Sequence, residues 1–167
     1  MYDLIIVGAG PAGITASVYA ARKRMDFLVI TEDIGGQAVW SSGIQNYTGY
    51  QFITGAELGK KFKEHLEKFK VPVKKNERVK KVEKKGDFIE VKTDKASYQA
   101  KTVIIASGRT PRELGVPGEK EYKNRGVTYC ATCDAPLFAN MEVAVVGGGN
   151  AALDAVLQLV KLAKKIH

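Results

Sequence analysis

The chain has 167 residues, 45% of them hydrophobic, enough for the core of one ordinary domain or parts of two. No apolar run approaches the roughly 20 residues that a membrane-spanning helix requires, so the expectation is a soluble chain with no membrane contact. The formal charge of +8 raises nucleic-acid binding, but twelve Lys/Arg against four Glu between Lys60 and Lys85 account for the entire excess. In that segment Lys and Glu share the polar side of a helical pattern and then polar positions after it, the look of a solvated face. Neither stacking aromatics nor a nucleic-acid motif lies beside it, so no nucleic acid is expected, and an acidic protein partner fits the charge better.

In chain order, Asp3-Leu4-Ile5-Ile6-Val7 reads as a buried parallel strand, short and rich in Ile and Val. It starts almost at the initial methionine, which leaves no room for a leader and predicts a cytoplasmic setting. Gly8-Ala9-Gly10-Pro11-Ala12-Gly13 follows, then an Ala-rich helical run to about Arg24. In this pattern Gly8 permits the tight turn, Gly10 lets backbone approach a pyrophosphate, and Gly13 lets helix and strand pack closely. A second strand, Phe27 to Ile30, leads to Glu32, 19 positions beyond Gly13 and near the spacing of a ribose-binding carboxylate; the alternative is an ordinary loop carboxylate.

Gly35-Gly36-Gln37 reads as a loop too glycine-rich for a helix, and Asn46-Tyr47-Thr48-Gly49 as a turn. From Gly55 to Lys70, Leu58, Phe62, Leu66 and Phe69 share one helical face, a core stripe. A short strand is expected within Val71 to Val82, and a hairpin pairs Phe88 to Thr93 with Tyr98 to Ala100 around Asp94-Lys95. Thr102 to Ala106 returns to an apolar strand, and Ser107-Gly108 stands at its end, where ligands of parallel sheets lie. Arg109 to Pro117, with Pro111, Gly115 and Pro117, is the candidate linker.

Cys130 and Cys133 are the only cysteines, spaced C-x-x-C with Asp134 directly behind. Such a pair can close and reopen a small disulfide, and a helix N-terminus lowers a thiol pKa toward the thiolate that attacks disulfides. Two plainer readings stand beside this one. A closed zinc site wants four ligands, and only His65 and His167 remain to complete it; buried, inert thiols are the other. Beyond the dithiol, Glu142 to Val146 reads as a buried strand, Gly147-Gly148-Gly149-Asn150-Ala151-Ala152 repeats the nucleotide turn as G-x-G-x-x-A, and a helix runs to about Lys164. The next strand of that β-α unit is not expected within the chain, so its sheet is expected to be incomplete.

With both turns and the dithiol in order, the chain resembles the low-molecular-weight thioredoxin reductase family, including the flavoprotein component of alkyl hydroperoxide reductase. The carriers are Gly8 to Gly13, Gly35-Gly36-Gln37, Ala106-Ser107-Gly108, Cys130-Ala131-Thr132-Cys133-Asp134 and Gly147 to Ala152. The Cys-Ala-Thr-Cys form is the one usual in thioredoxin reductases, whereas Gly126 to Cys130 and Pro136 to Phe138 look more like the peroxide-reductase component. Thr48 stands where the family usually has proline, Ser107 and Arg109 replace the commoner threonine and alanine, and Asn150-Ala151 replaces an acidic-small pair.

The resemblance implies an α/β fold of two Rossmann-like dinucleotide-binding domains, the second truncated: residues 1–116 the first part of an FAD-binding domain, and 117–167 the start of an NAD(P)H-binding domain. FAD would lie at Gly8, Gly10, Pro11, Ala12, Gly13, Glu32, Gly35, Gly36, Gln37, Asn46, the backbone of Val79, and Ala106, Ser107 and Gly108. NADPH, or alternatively NADH, would lie at Gly147, Gly149, Asn150 and Ala151. Cys133 would face the flavin, Cys130 would attack the substrate disulfide, and Asp134 would give and take the proton. Electrons would pass from NADPH through FAD to the dithiol and on to thioredoxin or a similar small redox protein, in a homodimer. The alternatives are a peroxiredoxin-system reductase, a dithiol oxidase and a catalytically silent nucleotide-binding module. The remainder of the family's nicotinamide domain and its returning C-terminal segment are missing, which predicts an incomplete polypeptide or a fragment that holds flavin weakly.

Overall fold

The computed structural model describes Met1–His167, in two compact units, Met1–Thr110 and Pro111–His167. The N-terminal unit is built on a six-stranded sheet in the order β3-β2-β1-β6-β5-β4. Its strands are β1 (Tyr2–Ala9), β2 (Phe27–Ile34), β3 (Val73–Lys74), β4 (Val79–Lys85), β5 (Phe88–Thr93) and β6 (Ser97–Ile105). β1 pairs parallel with β2 and β6, and β2 with β3, while β4, β5 and β6 are antiparallel neighbours. The run Leu4 to Val7 is buried throughout because this central strand is covered on both faces. Leu4, Ile6, Phe27 and Val29 pack under α1 (Pro11–Arg22) and α2 (Gly55–Lys68), against Ile14, Leu58, Phe62 and Leu66. Ile5, Val7, Leu28 and Ile30 pack on the other side with Val91 and Ala100.

The α2 stripe is as the spacing predicts, with Leu58, Phe62 and Leu66 buried, each contributing about 2 kcal/mol by leaving water. Phe69 is only half-buried and stacks on His65, ring centroids 5.3 Å apart. A capping box starts the helix: the Glu57 N–H donates to Thr54 Oγ1 (3.2 Å) and the Thr54 N–H donates to Glu57 Oε2 (3.0 Å). The basic segment is partly ion-paired, Lys60 with Glu64 and Lys63 with Glu67 along α2, Lys81 and Lys85 with Glu83 on the edge strand β4. No helix is long and apolar enough to cross a membrane.

Several elements differ from expectation. The separate strands at Tyr98 to Ala100 and Thr102 to Ala106 are one, β6, because the intervening Lys101 turns outward and bonds Asp3 (2.7 Å) without interrupting the ladder. Gly36–Trp40 is a 3-10 turn and not a loop: Gly35 takes up the left-handed conformation at φ 101°, and the four residues after Gly36 can coil. The expected strand within Val71 to Val82 is two, β3 and β4.

In the C-terminal unit the elements are α3 (Ala131–Asp134), a 3-10 turn (Ala135–Phe138), β7 (Glu142–Val143), α4 (Asn150–Leu159) and β8 (Lys165–Ile166). β8 corrects the expectation that no further strand begins: it pairs parallel with β7, Glu142 opposite Lys165 and Val143 opposite Ile166. To make that pairing α4 ends at Leu159 rather than near Lys164, although Lys161 to Lys164 are good helix formers; tertiary pairing overrides propensity. The strand expected over Glu142 to Val146 shrinks to two residues, and Val146 is 67% exposed. A β-α-β unit is therefore what this unit shows, and the expected second Rossmann-like domain is not shown.

Candidate functional site

In the N-terminal unit the glycine turn lies where β1 runs out. Gly8 has φ 98°, and a Cβ there would stand 2.5 Å from the Ala106 carbonyl oxygen. A Cβ on Gly13 would stand 1.9 Å from the Gly8 carbonyl oxygen, so the helix closes on the turn only because it is glycine. The register of β1 on β2 shifts between Val7 and Ala9, where the Ala9 N–H donates to Thr31 Oγ1 (3.1 Å). Two segments are drawn to the same edge. The Gly35 N–H donates to the Ala9 carbonyl (2.7 Å), and the Ala106 N–H to the Val7 carbonyl (2.8 Å). Gly10 and Gly36 meet backbone to backbone: a Cβ on Gly36 would stand 3.1 Å from Gly10 Cα.

This cradle fits a dinucleotide. Gly10 caps α1 without a side-chain bond, Pro11 occupies the first turn, and no acidic residue lies in that turn, so the helix N–H groups and their positive end stay open to phosphate. Pro11, Ala12, Gln37, Ser107 and Gly108 are exposed along the edge. Glu32 lies in β2 rather than in a loop, and its Oε2 accepts from Arg78 Nε (2.8 Å). Arg78 is itself fixed, its N–H donating to Asp94 Oδ1 (2.9 Å), directly before Val79 opens β4 opposite Thr93. Arg78 is absent from the sequence-predicted set, being 46 residues from Glu32 with no periodic signal to link them. Asn46 is exposed in the loop pinched by the Ile44–Ile53 bridge.

In the C-terminal unit Cys130 and Cys133 are joined in a disulfide, Cα atoms 5.3 Å apart. The Cys133 and Asp134 N–H groups both donate to the Cys130 carbonyl (3.1 and 3.0 Å), which forms the turn of α3. Cys130 is half-buried and Cys133 exposed. Asp134 is held through Thr128, whose hydroxyl donates to Asp134 Oδ2 and accepts from the Cys130 N–H (3.2 Å). Gln158 of α4 reaches Thr132 Oγ1 (3.2 Å), tying the helix to the dithiol turn.

A second carboxylate supports the turn from behind. Glu119, 5% exposed, accepts from the Leu114 and Gly115 N–H groups (2.8 and 2.7 Å) and from the Tyr129 hydroxyl (2.7 Å). The Tyr129 bond, then the Leu114 N–H, hold the Glu119 carboxyl below its ordinary range. The same bond, then burial, push the Tyr129 hydroxyl up to about 12. Thr128, Tyr129 and Glu119 lie outside the sequence-predicted set, since only their contacts reveal them.

The second glycine turn also suits a dinucleotide. Gly147 has φ 135°, and a Cβ there would stand 3.3 Å from Ala152 Cβ, while Cβ atoms on Gly148 and Gly149 would meet open space. Gly149 caps α4 without a side-chain bond and no acidic residue lies in its first turn; Gly147, Gly149, Asn150 and Ala151 are all exposed.

Residues 2–167 match the family model described as pyridine nucleotide-disulphide oxidoreductase. A thioredoxin reductase of Bacillus subtilis is 42% identical over 167 residues, 99% of this chain and 52% of that one. A component of the alkyl hydroperoxide reductase of Pseudomonas aeruginosa is 40% identical over 162 residues, 95% of this chain and 31% of the relative. The crystal structure of thioredoxin reductase from Streptococcus pyogenes superposes with a TM-score of 0.91 at 48% identity, covering 99% of this chain and 54% of that chain. The chain thus spans about half the length of the thioredoxin reductases it matches.

Proposed function

The chain belongs to the pyridine nucleotide-disulphide oxidoreductase family, and on that premise we propose that it carries the dinucleotide turns and the dithiol of an FAD-dependent disulfide reductase, driven by NADPH or NADH. The observation that carries this reading is the Cys130–Cys133 disulfide with Asp134 tied beside it, in one chain with two open glycine turns. In this reading residues 1–116 belong to an FAD domain and 117–167 to the start of a nicotinamide domain of a second Rossmann type. The first cradle takes FAD: the Gly8 to Gly13 turn and the α1 N-terminus receive the pyrophosphate, Glu32 the ribose, Val79 and Asn46 the flanks, and Gly35 to Gln37 with Ala106 to Gly108 close the edge. Gly147, Gly149, Asn150 and Ala151 take the nicotinamide nucleotide. When bound, the two cofactors supply hydride transfer and a relay of electrons to a disulfide.

The chain's own residues then do the sulfur chemistry. Reduction breaks the Cys130–Cys133 bond and adds two electrons and two protons. The Cys130 thiolate attacks the disulfide of thioredoxin or another small protein, Cys133 releases that partner by attacking Cys130, and Asp134 carries the proton. A cytoplasmic homodimer is part of the proposal. A second reading, reduction of a peroxiredoxin-system partner, is favoured by the 40% identity to the alkyl hydroperoxide reductase component.

The test is an anaerobic visible spectrum of the longest natural form of the polypeptide, before and after NADPH. A yellow protein that bleaches, whose Cys130→Ser and Cys133→Ser variants still bleach but no longer reduce thioredoxin, is the expected outcome. A colourless protein that takes up no FAD would sink the reading, as would Cys variants that turn over normally. Faster turnover with a peroxiredoxin-system protein than with thioredoxin would select the second reading, and oxygen consumption with a dithiol would select a dithiol oxidase.

A further inference from the structure

We propose that Thr128 is a positioning residue for Asp134: its hydroxyl holds one carboxylate oxygen and leaves the other for proton exchange with the dithiol. The inference rests on the reading of Asp134 as the dithiol's proton carrier. A threonine hydroxyl has one hydrogen to donate and lone pairs to accept with. Here the Cys130 N–H donates to Thr128 Oγ1 at 3.2 Å, which orients the oxygen and leaves its single hydrogen to be given to Asp134 Oδ2. The Asp134 N–H is meanwhile bonded to the Cys130 carbonyl at 3.0 Å, so backbone and side chain are both pinned to the same turn. Oδ2 is thereby occupied as an acceptor, and Oδ1 is the oxygen left to take and return a proton. Every member of this chain of bonds comes from residues 128–134, and it therefore moves as one piece with the two sulfurs.

The step it serves balances as follows. The reduced pair loses two S–H bonds and gains one S–S bond, the partner's S–S bond breaks, and its two sulfurs leave as thiols with the two electrons and two protons. In each of the two exchanges, attack by Cys130 on the partner and then by Cys133 on Cys130, Asp134 Oδ1 takes the proton of the attacking thiol and returns it to the partner sulfur that leaves, so both protons are delivered.

The experiment uses the full chain, reduced with dithiothreitol, desalted, and mixed anaerobically with oxidised glutathione, the closing of the disulfide being followed by thiol trapping. Thr128→Val, which keeps the shape and loses the hydroxyl, should slow closure about tenfold, the worth of one hydrogen bond to a charged group. Thr128→Ser, which keeps the hydroxyl and loses the methyl, should stay within about twofold of the parent, since that bond is retained. Asp134→Asn should slow closure about 100-fold, as loss of general acid-base help does. The double variant Thr128→Val/Asp134→Asn should be no slower than Asp134→Asn alone, because Thr128 acts through Asp134.

A merely structural threonine would give the opposite order, with Ser as slow as Val, or a double variant slower than Asp134→Asn; either result overturns the inference. Thr128→Val at the parent rate beside a slow Asp134→Asn overturns it too, and leaves the role of Asp134 standing. Asp134→Asn at the parent rate removes that role and the inference together. Circular dichroism checks each fold, and if Thr128→Val is unfolded, Thr128→Ala, which adds no bulk, takes its place in the same comparison.

Discussion

A carboxylate taken out of water needs donors, and Glu119 finds them in successive backbone N–H groups, those of Leu114 and Gly115 among them, and in the Tyr129 phenol. The consequence is a pair of opposite pH limits around one bond. Glu119 ionises below its ordinary 4.5 in the folded chain, so its contribution to stability is present above that value and is lost as pH falls through the lowered one. Tyr129 is raised from 10.0 to about 12, so its contribution is present below 10 and is lost as pH rises through 12. Titration by tyrosinate absorbance should show a late step near pH 12 that Tyr129→Phe abolishes. A step that persists unchanged in that variant would show the bond to be absent in solution. Tyr98, also raised by burial and by Glu77, should remain late in both forms.

At the scale of the element, α2 shows what a short run of sequence fixes unaided. Its stripe, its Thr54 cap and its Glu57 reply lie within one helix length, and the capped start is worth about 1 kcal/mol, so Thr54→Ala should lower stability by about that much in urea unfolding. A midpoint equal to the parent's would mean that Glu57 and water replace the cap fully. The strand-turn-helix at Gly8 to Gly13 was legible for the same reason: strand, turn and helix are contiguous, and the 1.9 Å clearance at Gly13 is the physical content of the third glycine. What the sequence could not show is pairing over distance. Arg78 meets Glu32 across 46 residues, and β8 forms because Met141 to Val143 offers it a ladder, though its own residues read as helix end. Thr128 and Asp134 are close in sequence, yet a spacing of six belongs to no regular element, so only the folded turn brings them together.

For the whole molecule, the boundary between Thr110 and Pro111 falls in a stretch, 106–116, without regular structure, in which Arg109 and Arg112 are exposed. Brief trypsin treatment should therefore cut first after Arg109 or Arg112, releasing a fragment that starts at Met1, as mass spectrometry would identify. Early cleavage within β4 to β6 instead would show the antiparallel strands to be the weaker part.

The sheet of the N-terminal unit ends in β4, an open strand whose backbone could in principle accept another. It presents Lys80, Lys81, Lys84 and Lys85 along that rim, with only Glu83 to offset them. A second copy arriving edge to edge would bring its own lysines against these, and the repulsion reaches about 10 Å at 0.1 M salt. The rim thus acts as a fence against fibre-like stacking, strongest in dilute buffer and lowered as salt is added.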